Sequence, residues 1–169
     1  MTTIAWDGST LASDSQSTSN DVICTLNEQK IFTPTEKQWS VNGEVVLAVG
    51  TAGDCGIELQ LFEMMEAGLT HKSQFTPEPS FTALAVTGKG RMWIISKNTG
   101  DAHASISLQL DGYATGSGGM IARAAMHCGK DAIGAVEVAT QLDVFSGGKI
   151  QSFTAKEPMM RREIPLSCC

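Results

Sequence analysis

Strand-like and helix-like patterning come in separate blocks along this chain, and that segregation constrains its fold more than any other feature. The first block runs through Thr2-Thr3-Ile4-Ala5-Trp6, turns at Asp7-Gly8 and returns through Ser9-Thr10-Leu11-Ala12-Ser13. Asp-Gly between strand-forming runs is a two-residue hairpin signal. Residues 15–28 are polar and read as irregular. Strand patterning resumes at Lys30-Ile31-Phe32 and Gln38-Trp39-Ser40-Val41, followed by the turn Asn42-Gly43 and the run Glu44-Val45-Val46-Leu47-Ala48-Val49. Gly50-Thr51-Ala52-Gly53-Asp54 then hands over to a helix. Its apolar residues Cys55, Leu59, Phe62, Met65 and Leu69 recur at spacings of three and four, one predicted buried stripe. Gly68 and a loop with Pro77 and Pro79 end it. Residues 81–87 and 92–96 read as strands joined through Gly88-Lys89-Gly90, and 106–110 as another. The spacing predicts helices over 120–128 and 131–142 and a last strand over 149–153. Strands and helices do not alternate as βαβ units, so the expected class is α+β, with two face-to-face sheets and helices outside.

The 169 residues, 42% hydrophobic and 18% charged, are enough for one globular domain spanning 1–169 with a sizeable core. A formal net charge of -6 argues against a nucleic-acid partner, since the densest basic spot is only Met160-Arg161-Arg162. The five cysteines (Cys24, Cys55, Cys128, Cys168, Cys169) are odd in number and lack CxxC spacing. That fits neither a disulfide framework nor a zinc site, and points to a reducing compartment. Cys168-Cys169 reads as a loose tail rather than a prenylation signal. Without a signal-peptide pattern or an apolar run near the roughly 20 residues of a membrane span, the expectation is a cytoplasmic protein with no membrane partner.

The common catalytic motifs are missing. Thr115 stands where a GxSxG elbow around Ser117 needs its first glycine. No P-loop, GxGxxG or HExxH occurs, and His71, His103 and His127 lie far apart with no ligand spacing, so no metal is expected. The N-terminus remains. Met1 precedes a small residue, the context in which an initiator methionine is removed. Removal would leave Thr2 with both a hydroxyl and a free α-amine, whose unperturbed pKa is about 7.7–8.0. That amine can take the hydroxyl's proton, so one residue supplies nucleophile and base. Such a site needs a cation to keep the amine neutral and a carboxylate to hold that cation; Lys30 and Asp14 lie in the next segments. Many proteins begin Met-Thr, however, and spacing alone does not separate a catalytic threonine from the start of a strand.

As a set these residues resemble the proteasome β-subunit family, including its bacterial ATP-dependent relatives. The run TTIA matches the start of the mature subunits, and Ser13-Asp14-Ser15-Gln16-Ser17-Thr18 is similar to the GDxxxT segment. Lys30-Ile31 falls at the catalytic lysine. Val49-Gly50-Thr51-Ala52-Gly53-Asp54 is similar to the AGxxAD turn, Thr115-Gly116-Ser117-Gly118-Gly119 to the GSG turn, and Leu142-Asp143-Val144-Phe145-Ser146-Gly147-Gly148 to RDxxSGG. The matches come in the family's order over almost the whole chain.

The resemblance implies a four-layer αββα sandwich of the N-terminal-nucleophile hydrolase type and threonine endopeptidase activity. Thr2 would be nucleophile and base, Lys30 the tuning cation and Asp14 its partner. Ser117, Asp143 and Ser146 would form the hydrogen-bond network around the amine. The N–H of Gly50 would serve the oxyanion hole, while Thr18 and Ala52 would hold the substrate backbone as an added strand. It also implies a ring-forming homo-oligomer, unfolded proteins or peptides as substrates, an ATP-dependent unfoldase as partner, and no cofactor. Two other readings stay open: an amidase acting on a small non-peptide amide, and a non-catalytic ring subunit.

Overall fold

A computed structural model describes residues 1–88 and 90–155. Lys89 of the Gly88–Gly90 turn, Met160-Arg161-Arg162 and Cys168-Cys169 lie outside the described residues. The elements in chain order are β1 (Thr3–Trp6), β2 (Thr10–Ser13), β3 (Ser17–Ser19), β4 (Val22–Thr25), β5 (Ile31–Phe32), β6 (Trp39–Val41), β7 (Glu44–Gly53) and α1 (Ile57–Ala67). There follow β8 (Phe81–Thr87), β9 (Met92–Lys97), β10 (Ser105–Gln109), β11 (Tyr113–Gly116), α2 (Gly119–His127), α3 (Ala132–Leu142) and β12 (Gln151–Thr154).

One sheet has the order β11-β1-β2-β12; a second runs β10-β9-β8-β7-β5, with β6 also on β7. Every pairing between these strands is antiparallel, as the hairpin turns require. Side-chain alternation sorts residues into layers. In β1, Ile4 and Trp6 face the second sheet while Ala5 faces α2 and α3; in β2, Leu11 and Ala12 divide the same way. The helix-facing layer is built of small residues, Ala5, Ala12, Ala114, Ala122, Ala135 and Ala139 among them, which lets α2 and α3 lie close on the sheet. On the second sheet Leu84, Val86 and Met92 meet the first sheet, and Ala83, Ala85 and Ile95 meet α1. The register of β7 shifts between Val46 and Ala48, so Val46 and Val49 both face α1 while Ala48 faces inward. Each fully buried Ile or Leu contributes about 1.5–3 kcal/mol. The result is the expected four-layer αββα sandwich.

Several local expectations are corrected. The buried stripe of α1 is Ile57, Leu61 and Met65: of the predicted residues Met65 and, just past the helix, Leu69 are buried and Phe62 packs against the core, but Leu59 is 73% exposed, and Cys55 precedes the helix and is exposed. Gly56, at φ 87, starts the helix two residues beyond Cys55, so the spacing of four from Ile57 sets the face. Gly68 in the left-handed region ends it as predicted. Residues 15–28 are not irregular throughout, because β3 and β4 form a hairpin turned at Asn20 and Asp21, both at positive φ (48 and 61). β7 continues to Gly53 rather than yielding at Gly50, and β11, unforeseen, pairs with β1. No helix among the described residues is long and apolar enough to cross a membrane.

Candidate active site

The site is assembled around the start of β1. Thr2 is buried, and the turn after β11 holds its main chain: the Ser117 N–H donates to Thr2 O at 2.8 Å. Gly116 is required there, since its φ is 91 and a Cβ would overlap Thr2 O. Asp14, at the end of β2 and fully buried, faces four donors. Its Oδ1 accepts from Thr3 N (2.8 Å) and Lys30 Nζ (2.8 Å), its Oδ2 from Gly147 N (3.0 Å) and Gln16 N (3.1 Å). Lys30, entering β5 and 4% exposed, also donates to Gln16 O at 2.6 Å and to Met1 O at 3.2 Å. Its ammonium therefore lies against the Met1–Thr2 peptide. Burial holds the Lys30 ammonium below its ordinary value, although Asp14, Glu28 and Cys55 pull the other way.

A second set lies on the other side of Thr2. Asp143 Oδ2 accepts from Ser146 Oγ at 2.6 Å and from Ser117 Oγ at 2.7 Å, and Ser146 Oγ is 2.6 Å from Thr3 Oγ1. Burial pushes the Asp143 carboxyl up, but the Ser146 and Ser117 hydroxyls, the Phe145 N–H and the nearby N-terminal charge together hold it below the usual value. The catalytic candidates Thr2, Asp14, Lys30, Ser117, Asp143 and Ser146, about 140 residues apart at the extremes of the chain, are thus brought into one hydrogen-bonded cluster.

A cleft of about 530 Å³ opens in front of Thr2, with Thr18 and Ala52 in its walls. The buried Thr18 hydroxyl oxygen has no hydrogen-bond partner among the described residues. The expected oxyanion residue Gly50 is not in the cleft. It sits three residues deeper in β7, between Ile31 and Leu84, against the Ile4 side chain. Gly53 takes its place beside Thr2. Thr51 N donates toward β5, to Lys30 O (3.1 Å), and Asp54 N toward β8, to Ser80 O (3.0 Å). Alternation along the strand leaves the Gly53 N–H on the Thr51 side, away from β8. A side chain at Gly53 would overlap Ser80 O, so only glycine fits.

Compared with solved structures, the chain is similar to Thiobacillus denitrificans BPH in complex with epoxomicin, with a TM-score of 0.61 and 17% sequence identity over 92% of this chain and 99% of that one. A structure of Thiobacillus denitrificans BPH alone matches with a TM-score of 0.59 and 17% identity, covering 90% and 95%. The fold is that of the N-terminal-nucleophile hydrolases. No family model matches the sequence, and no curated protein matches it.

Within this fold, sequence reasoning missed several residues that build the site. Gln16 gives its carbonyl to Lys30, and its Nε2 holds Val144 O at 3.0 Å. Thr3 ties the two clusters together, through its N–H to Asp14 and its hydroxyl to Ser146. Thr3, Gln16 and Gly147 all lie in matched segments, but Gln16 stands at a position those motifs leave open and acts chiefly through its main chain, so its side-chain type gives no signal. Lys97 also borders the cleft, its Nζ held by the carbonyls of Pro79 (2.7 Å), Pro77 (3.0 Å) and Asn98 (3.2 Å).

Proposed function

We propose that this chain is a threonine-type endopeptidase that becomes active when Met1 is removed. The observation that carries the reading is the buried Lys30–Asp14 pair whose ammonium reaches the Met1–Thr2 peptide at 3.2 Å. While Met1 is attached, the nitrogen of Thr2 is an amide and takes no proton. Once it is free, the Thr2 amine accepts the proton of its own hydroxyl as Oγ attacks the scissile carbonyl. The field of Lys30 favours the neutral amine and the developing alkoxide, while Asp14 keeps the lysine in place.

The carbonyl oxygen gathers negative charge at the Gly53 N–H, a type of donor whose loss costs about 3–4 kcal/mol of barrier. The C–N bond then breaks, the protonated amine hands its proton to the leaving group, and an ester on Thr2 Oγ remains. Water, deprotonated by the same amine, hydrolyses that ester and restores Thr2. Asp143, through Ser117 and Ser146, orients the polar groups around the amine. The substrate backbone lies along the cleft between Thr18 and Ala52. Its class is a peptide or unfolded protein strand, and the working form is a ring-shaped homo-oligomer fed by an ATP-dependent unfoldase.

Intact mass before and after treatment with a threonine-reactive β-lactone tests the reading. The expected result is a chain lacking Met1 that gains one adduct on Thr2, and no adduct on Thr2→Ala with its circular dichroism unchanged. Peptidase activity retained by Thr2→Ala would sink the proposal. The native mass of the same sample reads the assembly: a many-subunit particle fits an enclosed chamber, whereas a monomer or dimer would overturn the ring.

A further inference from the structure

Beside the main cleft a narrow recess runs back from Thr2 between Lys30 and the start of α1. It measures about 60 Å³, room for about four waters and so for one slender side chain. Met1 borders it together with Thr2, so loss of Met1 opens it further. Two carboxylates stand in its walls, Glu28 and Glu58.

Glu58, in the first turn of α1, is fixed: its Oε2 accepts from Gly56 N (3.0 Å) and its Oε1 from Thr51 Oγ1 (3.2 Å). Glu28 has its main chain pinned, with its N–H on Ser15 O (2.9 Å) and its carbonyl accepting from Gln151 Nε2 (2.5 Å). Its carboxylate accepts no hydrogen bond among the described residues. The ammonium of Lys30 also faces the recess, but it is matched by Asp14 at 2.8 Å, and its donors go to Asp14, Gln16 O and Met1 O. Lys30 and Asp14 cancel, which leaves Glu28 and Glu58 as surplus negative charge next to the nucleophile.

Resting on the threonine-peptidase reading, we infer that the recess takes the substrate side chain on the acyl side of the cleaved bond and selects a cationic one, lysine or arginine. An unbranched methylene stem fits the narrow bore, and the cation at its tip meets the free carboxylate of Glu28 and the held one of Glu58. A glutamate in the same place meets two like charges, and a leucine leaves the negative charge of both carboxylates uncompensated.

The experiment uses the chain with Met1 removed and four fluorogenic tripeptide amides that end in Arg, Lys, Leu or Glu. The Arg and Lys peptides are expected to be cleaved with kcat/KM about tenfold or more above Leu, with Glu lowest. Added salt should narrow the gap, because these carboxylates are reached by solvent. Glu28→Gln should shrink the Arg-to-Leu ratio at least about threefold, and Glu28→Lys should shift the preference toward Glu. Glu28 is exposed, so neither change threatens folding.

Equal cleavage of Leu and Arg peptides, or a ratio untouched in both Glu28 variants, overturns the inference. If the β-lactone still labels Thr2 in that sample, the threonine-hydrolase reading stands without it. Labelling with no peptide cleaved also overturns the preference. No labelling and no cleavage brings down the enzyme reading first and the preference with it.

Discussion

Asp14 concentrates the physics of the site in one carboxylate. It is fully buried, accepts from three main-chain N–H groups and one ammonium, and so meets the condition under which a buried charge is tolerated. Its removal would strand the Lys30 ammonium in a dry pocket, so Asp14→Ala should cost about 3–5 kcal/mol, read by urea denaturation. Asp14→Asn keeps the shape but turns an N–H₂ toward groups that are all donors. It should lose roughly half of that and, if Lys30 tunes Thr2, most of the β-lactone labelling rate as well. A variant that kept full stability would show that Lys30 finds compensation elsewhere and that the pair is not what holds the start of β1.

At the scale of elements, Asp7 couples the first hairpin to the last helix. Its Oδ1 accepts from Thr10 N (2.8 Å), Ser9 N (2.9 Å) and Ser9 Oγ (2.9 Å), and its Oδ2 from Ala132 N (2.9 Å) in the first turn of α3. Burial raises its carboxyl, and the N–H groups of Ala132, Thr10 and Ser9 overcome that and hold it below 3.8. A depressed folded value means the unfolded chain binds the proton first. The stabilisation is therefore full above 3.8 and fades as pH falls through the folded value. Asp7→Asn should cost about 0.5–2 kcal/mol at neutral pH, with its deficit against the wild type closing in acid. A deficit constant down to pH values well below 3.8 would show that the charge is irrelevant. The Asp7-Gly8 and Asn42-Gly43 turns were legible because type-preferring dipeptides sit between strand runs. The β3–β4 hairpin was not, since its strands bury little and Val22 and Ile23 are exposed. Only the start of the α1 stripe differs from expectation, because Cys55 and Leu59 fit the period as well as Ile57 and Leu61 do, and the sheet beneath decides between them. In the site, the spaced motifs located six polar residues, whereas the offset from Gly50 to Gly53 depends on how far β7 extends.

The whole molecule unfolds as one unit if its layers share their strands as the packing indicates. β7 and β8 send alternate side chains into the inner layer (Ala48, Leu84, Val86) and the layer under α1 (Val46, Val49, Ala83, Ala85), so neither layer can melt and leave the other intact. The candidate site spans the same seam: Thr2, Asp14 and Ser117 come with the first sheet, Lys30 and Gly53 with the second. Gln151 of β12 adds a tie, its Oε1 accepting from Lys30 N (3.1 Å) and Ile31 N (3.3 Å). Native tryptophans report on each layer, Trp6 in the inner one and Trp39 stacked on Phe62 beside α1. Leu84→Ala, a deletion in the inner layer, should cost about 2–5 kcal/mol and move both reporters to a lower midpoint together, in proteins that keep only Trp6 or only Trp39 of the three tryptophans. The β-lactone labelling of Thr2 should vanish over the same denaturant range. If the Trp39 signal held its midpoint while Trp6 and the labelling fell, the sheets would be separable units, and the geometry of Lys30 against Thr2 would depend on a docking equilibrium rather than on the fold itself.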